Sequence, residues 1–145
     1  MKKIWLDMDG TIANLYAVDN WLEKLRAYDP SPYAEAEVMV NMSSLARILN
    51  RLRKTGYKIC VISALSKEST PEYDETVIEA KFNWLMKHLP SVEFEQIMFV
   101  PYTFDKSQVN SGDDILIDDE PRHLKAWGDT AINAFNILEA LKALR

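Results

Sequence analysis

Short apolar runs alternate along this chain with longer segments in which apolar residues return every three or four positions. Runs of the first kind have the length of buried strands, and segments of the second kind read as amphipathic helices. Their alternation predicts an α/β fold around a parallel sheet. The pattern places strands at residues 3–7, 58–63, 97–100, 115–118 and 130–134, with helices at 17–27, 44–54, 76–88, 121–126 and 137–144. In the helix over 76–88, Ile78, Phe82 and Leu85, followed by Leu89, are predicted to form the core face, with Glu79 and Lys87 opposite. The helix over 44–54 turns Leu45, Ile48, Leu49 and Leu52 to one side. It opens on the serines of "NMSSLAR" as N-cap candidates and closes at "KTGY", a basic last turn followed by glycine. Between the first two helices, "RAYDPSPYAEAEVMV" is irregular and carries two prolines. Residues 14–43 are therefore expected to form a small helical lid on a single domain spanning 1–145.

Composition narrows the class. With 145 residues, 48% of them hydrophobic, the chain can bury one sizeable core. A net charge of −5 gives no footprint for nonspecific nucleic-acid binding or for an anionic membrane. No run approaches the roughly 20 apolar residues of a membrane span, and no signal peptide is readable, so a cytoplasmic setting is expected. The one cysteine, Cys60, sits inside "YKICVI" and reads as a buried strand residue. Trp5 and Trp84 read as structural, and His88 and His123 as surface or capping residues. Tyr16, Trp21 and Tyr33 fall in the lid region, where an aromatic ring could stack on a base.

Candidate chemistry gathers at the strand ends. In an open parallel sheet, ligands collect outside the carboxyl ends of the strands, at the point where strand order reverses. The first strand runs into "LDMDGT", with Asp7 and Asp9; the second ends at Ser63 in "VISALS"; the fourth ends at Asp118 and Asp119 in "ILIDDEP". Lys106, in "TFDKSQ", lies just upstream of the fourth and is preferred to Lys67 as the cation of the site. Four carboxylates in one pocket repel one another unless a hard divalent cation offsets them, and magnesium is the natural choice for oxygen donors and a phosphate. On this reading Asp7 attacks phosphorus and Asp9 moves the proton. Gly10 lets the backbone donate amides to the phosphate, joined there by Thr11, while Ser63 and Lys106 hold its oxygens. Asp118 binds the metal directly, and Asp119 holds a metal-bound water.

At these residues the sequence resembles the haloacid dehalogenase-like (HAD) hydrolase superfamily. "IWLDMDGT", "VISA", Lys106 and "LIDD" match its four motifs in order, over most of the chain. The resemblance implies a three-layer Rossmann-like fold with a five-stranded parallel sheet of order 3-2-1-4-5. It assigns the nucleophile to Asp7 and the acid/base to Asp9, and it implies a Mg2+ site at Asp7, Asp118, Asp119 and Asp9, the last through its backbone carbonyl. An acid at position 9 points to a phosphatase. "DMDGTIA" with "ILIDDEPRHLKAW" looks most like the 5′(3′)-deoxyribonucleotidase branch, with a reduced cap and a more open site. The partner implied is a small phosphorylated metabolite such as a deoxynucleoside monophosphate. A phosphatase for sugar phosphates or nucleic-acid ends, and a noncatalytic domain retaining the fold, are the alternatives. The oligomeric state, and whether a second subunit completes the lid, stay open.

Overall fold

A computed structural model describes residues 2–144. In chain order the elements are β1 (Lys3–Leu6), β2 (Ala13–Asn14), a 3-10 turn (Leu15–Ala17), α1 (Trp21–Arg26), α2 (Ser31–Glu35), β3 (Glu37–Val38) and α3 (Met42–Lys54). There follow β4 (Lys58–Ala64), α4 (Pro71–His88), β5 (Gln96–Val100), a 3-10 turn (Lys106–Val109) and β6 (Ile115–Asp118). The chain closes with α5 (Pro121–Trp127), β7 (Ala131–Asn133), a 3-10 turn (Ala134–Asn136) and α6 (Ile137–Lys142).

The main sheet has the order β5-β4-β1-β6-β7 and every pairing in it is parallel. Counting only its own strands, this is the expected 3-2-1-4-5 order. Right-handed crossovers of a doubly wound sheet leave β1 and β6 adjacent where the winding reverses. Both sheet faces are covered, so the strands read as continuous apolar runs. Alternate residues divide between two cores. Ile4, Leu6, Ile59, Val61, Ile115 and Ile117 pack with α3, α4 and α6. Trp5, Cys60, Ile62 and Leu116 pack with Trp127 of α5. Burial pushes the Cys60 thiol up to about 11, which suits an inert core residue.

Two local readings need correction. The N-cap of α3 is Asn41, whose side chain accepts from Ser44 N at 2.9 Å; the serines lie inside the first turn. The helix α4 begins five residues earlier than its apolar period suggests, at a Thr70 cap followed by Pro71, with Glu72 and Asp74 in the first turn. Its buried face is Tyr73, Val77, Lys81, Trp84 and Leu85, whereas Ile78 and Phe82 are exposed. The early start adds a turn that packs on the lid: Tyr73 and Val77 share a cluster with Leu15, Tyr33 and Leu65. That contact rotates the covered face away from the stripe read in the sequence. Among the described residues, no helix is long and apolar enough to cross a membrane.

Candidate active site

The carboxyl ends of β1, β4 and β6 bring the singled-out residues together. Asp7 directly follows β1 and its N–H donates to Ile117 O of β6 at 3.0 Å, which locks it beside Asp118. The side chains of Asp7, Asp118 and Asp119 each present an oxygen, all within 4.8 Å of one another. Lys106 lies buried among them and donates to Asp7 Oδ1 at 3.0 Å and to Asp118 Oδ2 at 2.8 Å. Lys67 is exposed and reaches over Tyr102 instead.

After Asp7 the chain makes a tight turn, in which Met8 O accepts from the N–H groups of Thr11, Ile12 and Ala13. Gly10 sits there at φ +81, and a Cβ on it would collide with the Asp119 carboxylate. Glycine is thus required by conformation and by space. Its own N–H, expected to face a phosphate, is committed to Ala13 O at 2.9 Å. Thr11, also expected at the phosphate, is buried with its hydroxyl donating to Asp7 Oδ2 at 2.9 Å. Both Asp7 oxygens are therefore held, one by Lys106 and one by Thr11.

Asp9 is turned away from the carboxylate cluster. Its Oδ2 accepts from Lys81 Nζ at 2.9 Å, and the same ammonium donates to Ser63 Oγ at 2.8 Å and Ala64 O at 2.6 Å. It also lies 4.8 Å from the centre of the Tyr33 ring. Lys81 is 1% exposed and was absent from the sequence reading. The signal existed: a lysine interrupts the apolar stripe of Tyr73, Val77 and Trp84 at positions that share a helix face. The other missed residue is His123, read as a surface or capping group. It is 6% exposed, its Nδ1 is 3.1 Å from Asp118 Oδ2, and its Nε2 is buried without a partner among the described residues. An exposed ring was the wrong expectation because α5 starts at Pro121, just beyond the acids, and His123 in its first turn lies against Asp118.

Burial, with the neighbouring charges of Asp118, Asp9 and Asp119, raises the Asp7 carboxyl well above its ordinary range, against the pull of Lys106. Asp119 is raised mainly by burial. Burial also works against ionised Asp118, yet hydrogen bonding to His123 and the nearby Lys106 ammonium hold its carboxyl below the usual range. Burial likewise opposes charge on Lys106, but Asp7 and Asp118 prevail and raise it. Four carboxylates with two ammonium groups leave two negative charges uncompensated when all are ionised. Hard oxygen donors in that surplus fit a divalent cation at Asp7, Asp118 and Asp119. The Asp9 carboxylate lies outside that set.

Above the cluster opens a cavity of about 350 Å³. Its floor carries Asp7, Asp9, Asp118 and Asp119, and its walls include Tyr16, Trp21, Leu25, Tyr33, Leu65 and Tyr102. Tyr16 and Trp21 meet edge to face with centroids 5.0 Å apart. The segment from Leu15 to Tyr33 supplies most of the apolar wall, and the chain beyond β1 and at the end of β6 the polar floor.

Among solved structures the chain is similar to a D,D-heptose 1,7-bisphosphate phosphatase from Burkholderia thailandensis, with a TM-score of 0.55 and 18% identity over 90% of this chain and 74% of the other. A D,D-heptose 1,7-bisphosphate phosphatase from B. bronchiseptica, complexed with magnesium and phosphate, gives a TM-score of 0.52 and 14% identity over 87% and 74%. At such identities the likeness concerns the fold. No curated protein sequence matches the chain. The profile of the family described as 5′ nucleotidase, deoxy (pyrimidine), cytosolic type C protein matches residues 31–137, which takes in Ser63, Lys106, Asp118 and Asp119 and starts beyond Asp7 and Asp9. With about three quarters of its length under that match and a HAD fold around the site, the chain belongs to this nucleotidase family of HAD phosphatases.

Proposed function

We propose that the protein is a magnesium-dependent phosphomonoesterase that works through a phosphorylated Asp7 and takes a deoxynucleoside monophosphate as substrate. The observation that carries the reading is the Asp7 carboxylate, held on both oxygens at the floor of the cavity and grouped with Asp118 and Asp119. One Asp7 oxygen attacks phosphorus, forming a P–O bond as the ester P–O bond breaks, and the departing alkoxide takes a proton from Asp9. Water then attacks the aspartyl-phosphate, gives its proton to Asp9, and releases phosphate with Asp7 restored. Lys81 fixes the Asp9 carboxylate and donates to Ser63 Oγ. Lys106 adds positive charge where negative charge gathers in phosphoryl transfer. Asp7, Asp118 and Asp119 would hold the divalent cation, which supplies charge to draw in and polarise a phosphate dianion.

The substrate class rests on the walls. Tyr16, Trp21, Tyr33 and Tyr102 offer flat apolar surface of a size suited to a nucleoside, and Arg26, Ser66, Lys67 and Glu68 add polar partners beside them. The family, described as a cytosolic deoxynucleotidase of pyrimidine type, supports the same substrate and a cytoplasmic setting. The test is a comparison of kcat/KM across deoxynucleotides, ribonucleotides, sugar phosphates and a 5′-phosphorylated oligonucleotide, with Asp7→Asn as control. Deoxynucleotides should lead, and Asp7→Asn should abolish turnover in a folded protein. Sugar phosphates equal to nucleotides would remove the substrate assignment, and unaltered turnover in Asp7→Asn the nucleophile.

A further inference from the structure

Charge is unevenly distributed along this acidic chain. From Val38 to Lys67 there are six lysines and arginines and not one acid, in a protein whose net charge is −5. The helix α3 lies inside that stretch. Two of its neighbouring cations are matched from elsewhere: Arg53 pairs with Glu93 at 2.8 Å, and Lys58 pairs with Glu95 at 3.2 Å. Arg47, Arg51 and Lys54 are exposed and, among the described residues, have no acidic partner. Spaced by four and three residues, they fall on one stripe of α3, about 10 Å from first to last.

That stripe lines a groove between α3 and α6. Its volume is about 660 Å³, its lining adds Ser44, Asn50 and Lys142, and Ile48 and Leu138 supply apolar surface. It shares no residue with the catalytic cavity. Lys142 has one neighbour of opposite charge, Glu139 at 3.3 Å, with both side chains exposed. Asn50 Nδ2 donates to Ser91 Oγ at 3.3 Å, and Asn50 Oδ1 is buried without a partner among the described residues. Four cations and a serine hydroxyl form a set of donors for an anion.

We propose that the groove between α3 and α6 binds a compact oligophosphate, either free tripolyphosphate or the triphosphate chain of a nucleotide. The stripe is too long for a single phosphate to satisfy, and it matches several negative charges in a row. A long nucleic-acid strand is disfavoured because the acidic remainder of the molecule repels it, and the groove offers no aromatic ring for a base to stack on. The catalytic reading is not needed for this site, and either can fail alone.

Calorimetric titration of the full chain with inorganic tripolyphosphate, in chelator, tests the proposal. Saturable binding is expected. It should weaken about tenfold in Arg47→Ala/Arg51→Ala, weaken further in Arg51→Glu, and fall with added salt. Basal phosphatase activity should not change in these surface variants. ATP binding more tightly than tripolyphosphate, with the same sensitivity to the variants, assigns the anion to a nucleotide; the reverse assigns it to the free oligophosphate. Absence of saturable binding at millimolar anion overturns the proposal. So does binding indifferent to Arg51→Glu, or preferential binding of an oligonucleotide.

Discussion

Lys81 carries a buried ammonium with every proton committed, to Asp9, Ser63 and Ala64. Removing a charge from water costs several kcal/mol, and this lysine is tolerated only because those acceptors surround it. Lys81→Met keeps the length of the side chain and leaves the Asp9 carboxylate and Ser63 without their donor. We expect kcat to fall about 10²-fold with KM little changed, and stability to fall by about 3 kcal/mol. A folded Lys81→Met enzyme with full kcat would dismiss the positioning role. The folded Asp7 carboxyl is raised, so its contribution to stability is present below the unfolded value and lost as pH rises through the folded one. Burial favours the protonated forms of Asp7 and Asp119, and a divalent cation on these carboxylates would oppose it. Calorimetry in buffers of different ionisation enthalpy should show magnesium binding releasing protons, increasingly so as pH is lowered. Proton release that does not grow as pH is lowered is incompatible with the cation sitting on these carboxylates.

Asp114 shows how elements are tied to one another. Fully buried ahead of β6, it accepts from Lys3 N at 3.1 Å, Trp5 Nε1 at 3.4 Å, Ser111 N at 3.1 Å and Ser111 Oγ at 2.8 Å. All four partners donate, so only a carboxylate satisfies them. Burial opposes its charge, but these bonds hold the carboxyl below its usual range. Its stabilisation is thus present above the unfolded value and lost as pH falls through the folded one. Asp114→Asn presents a donor to donors and should cost about 1–3 kcal/mol at neutral pH. Denaturant midpoints should also show the variant losing less stability than the parent as pH falls from about 5 to about 2. An equal loss in both proteins would contradict the account. The same dependence on neighbours explains α4. Ile78 and Phe82 carry the helical period as clearly as Val77 and Trp84 do, and the lid cluster around Tyr33 decides which stripe is covered.

Across the molecule, the cavity is a joint product of the lid and the sheet. The floor comes from strand ends and the walls come from Leu15 through Tyr33, which are held against α4 by Tyr73 and Val77. Tyr73 also donates to Asp29 O at 2.9 Å, and Tyr33 and Ser66 hydroxyls lie 2.7 Å apart, so the lid is fastened on two sides. If a base lies against the aromatic wall, Trp21→Ala should raise KM for a deoxynucleotide about tenfold. It should leave kcat/KM for 2-deoxyribose 5-phosphate unchanged. An equal loss on both substrates would show that Trp21 supports the lid and does not contact a base.

Much of the fold and part of the site can be read from the residues in order. Strand-length apolar runs dictate a parallel sheet, chain handedness dictates how it is wound, and together they bring Asp7, Ser63 and Asp118 to one edge. Those are local patterns under a general topological rule, and each residue was therefore visible at its strand end. Lys81, His123 and the turning of Thr11 toward Asp7 were decided elsewhere. A charged or polar side chain is buried only where distant partners offset its desolvation, and those partners meet it only when the sheet, α4, α5 and the lid have closed on one another.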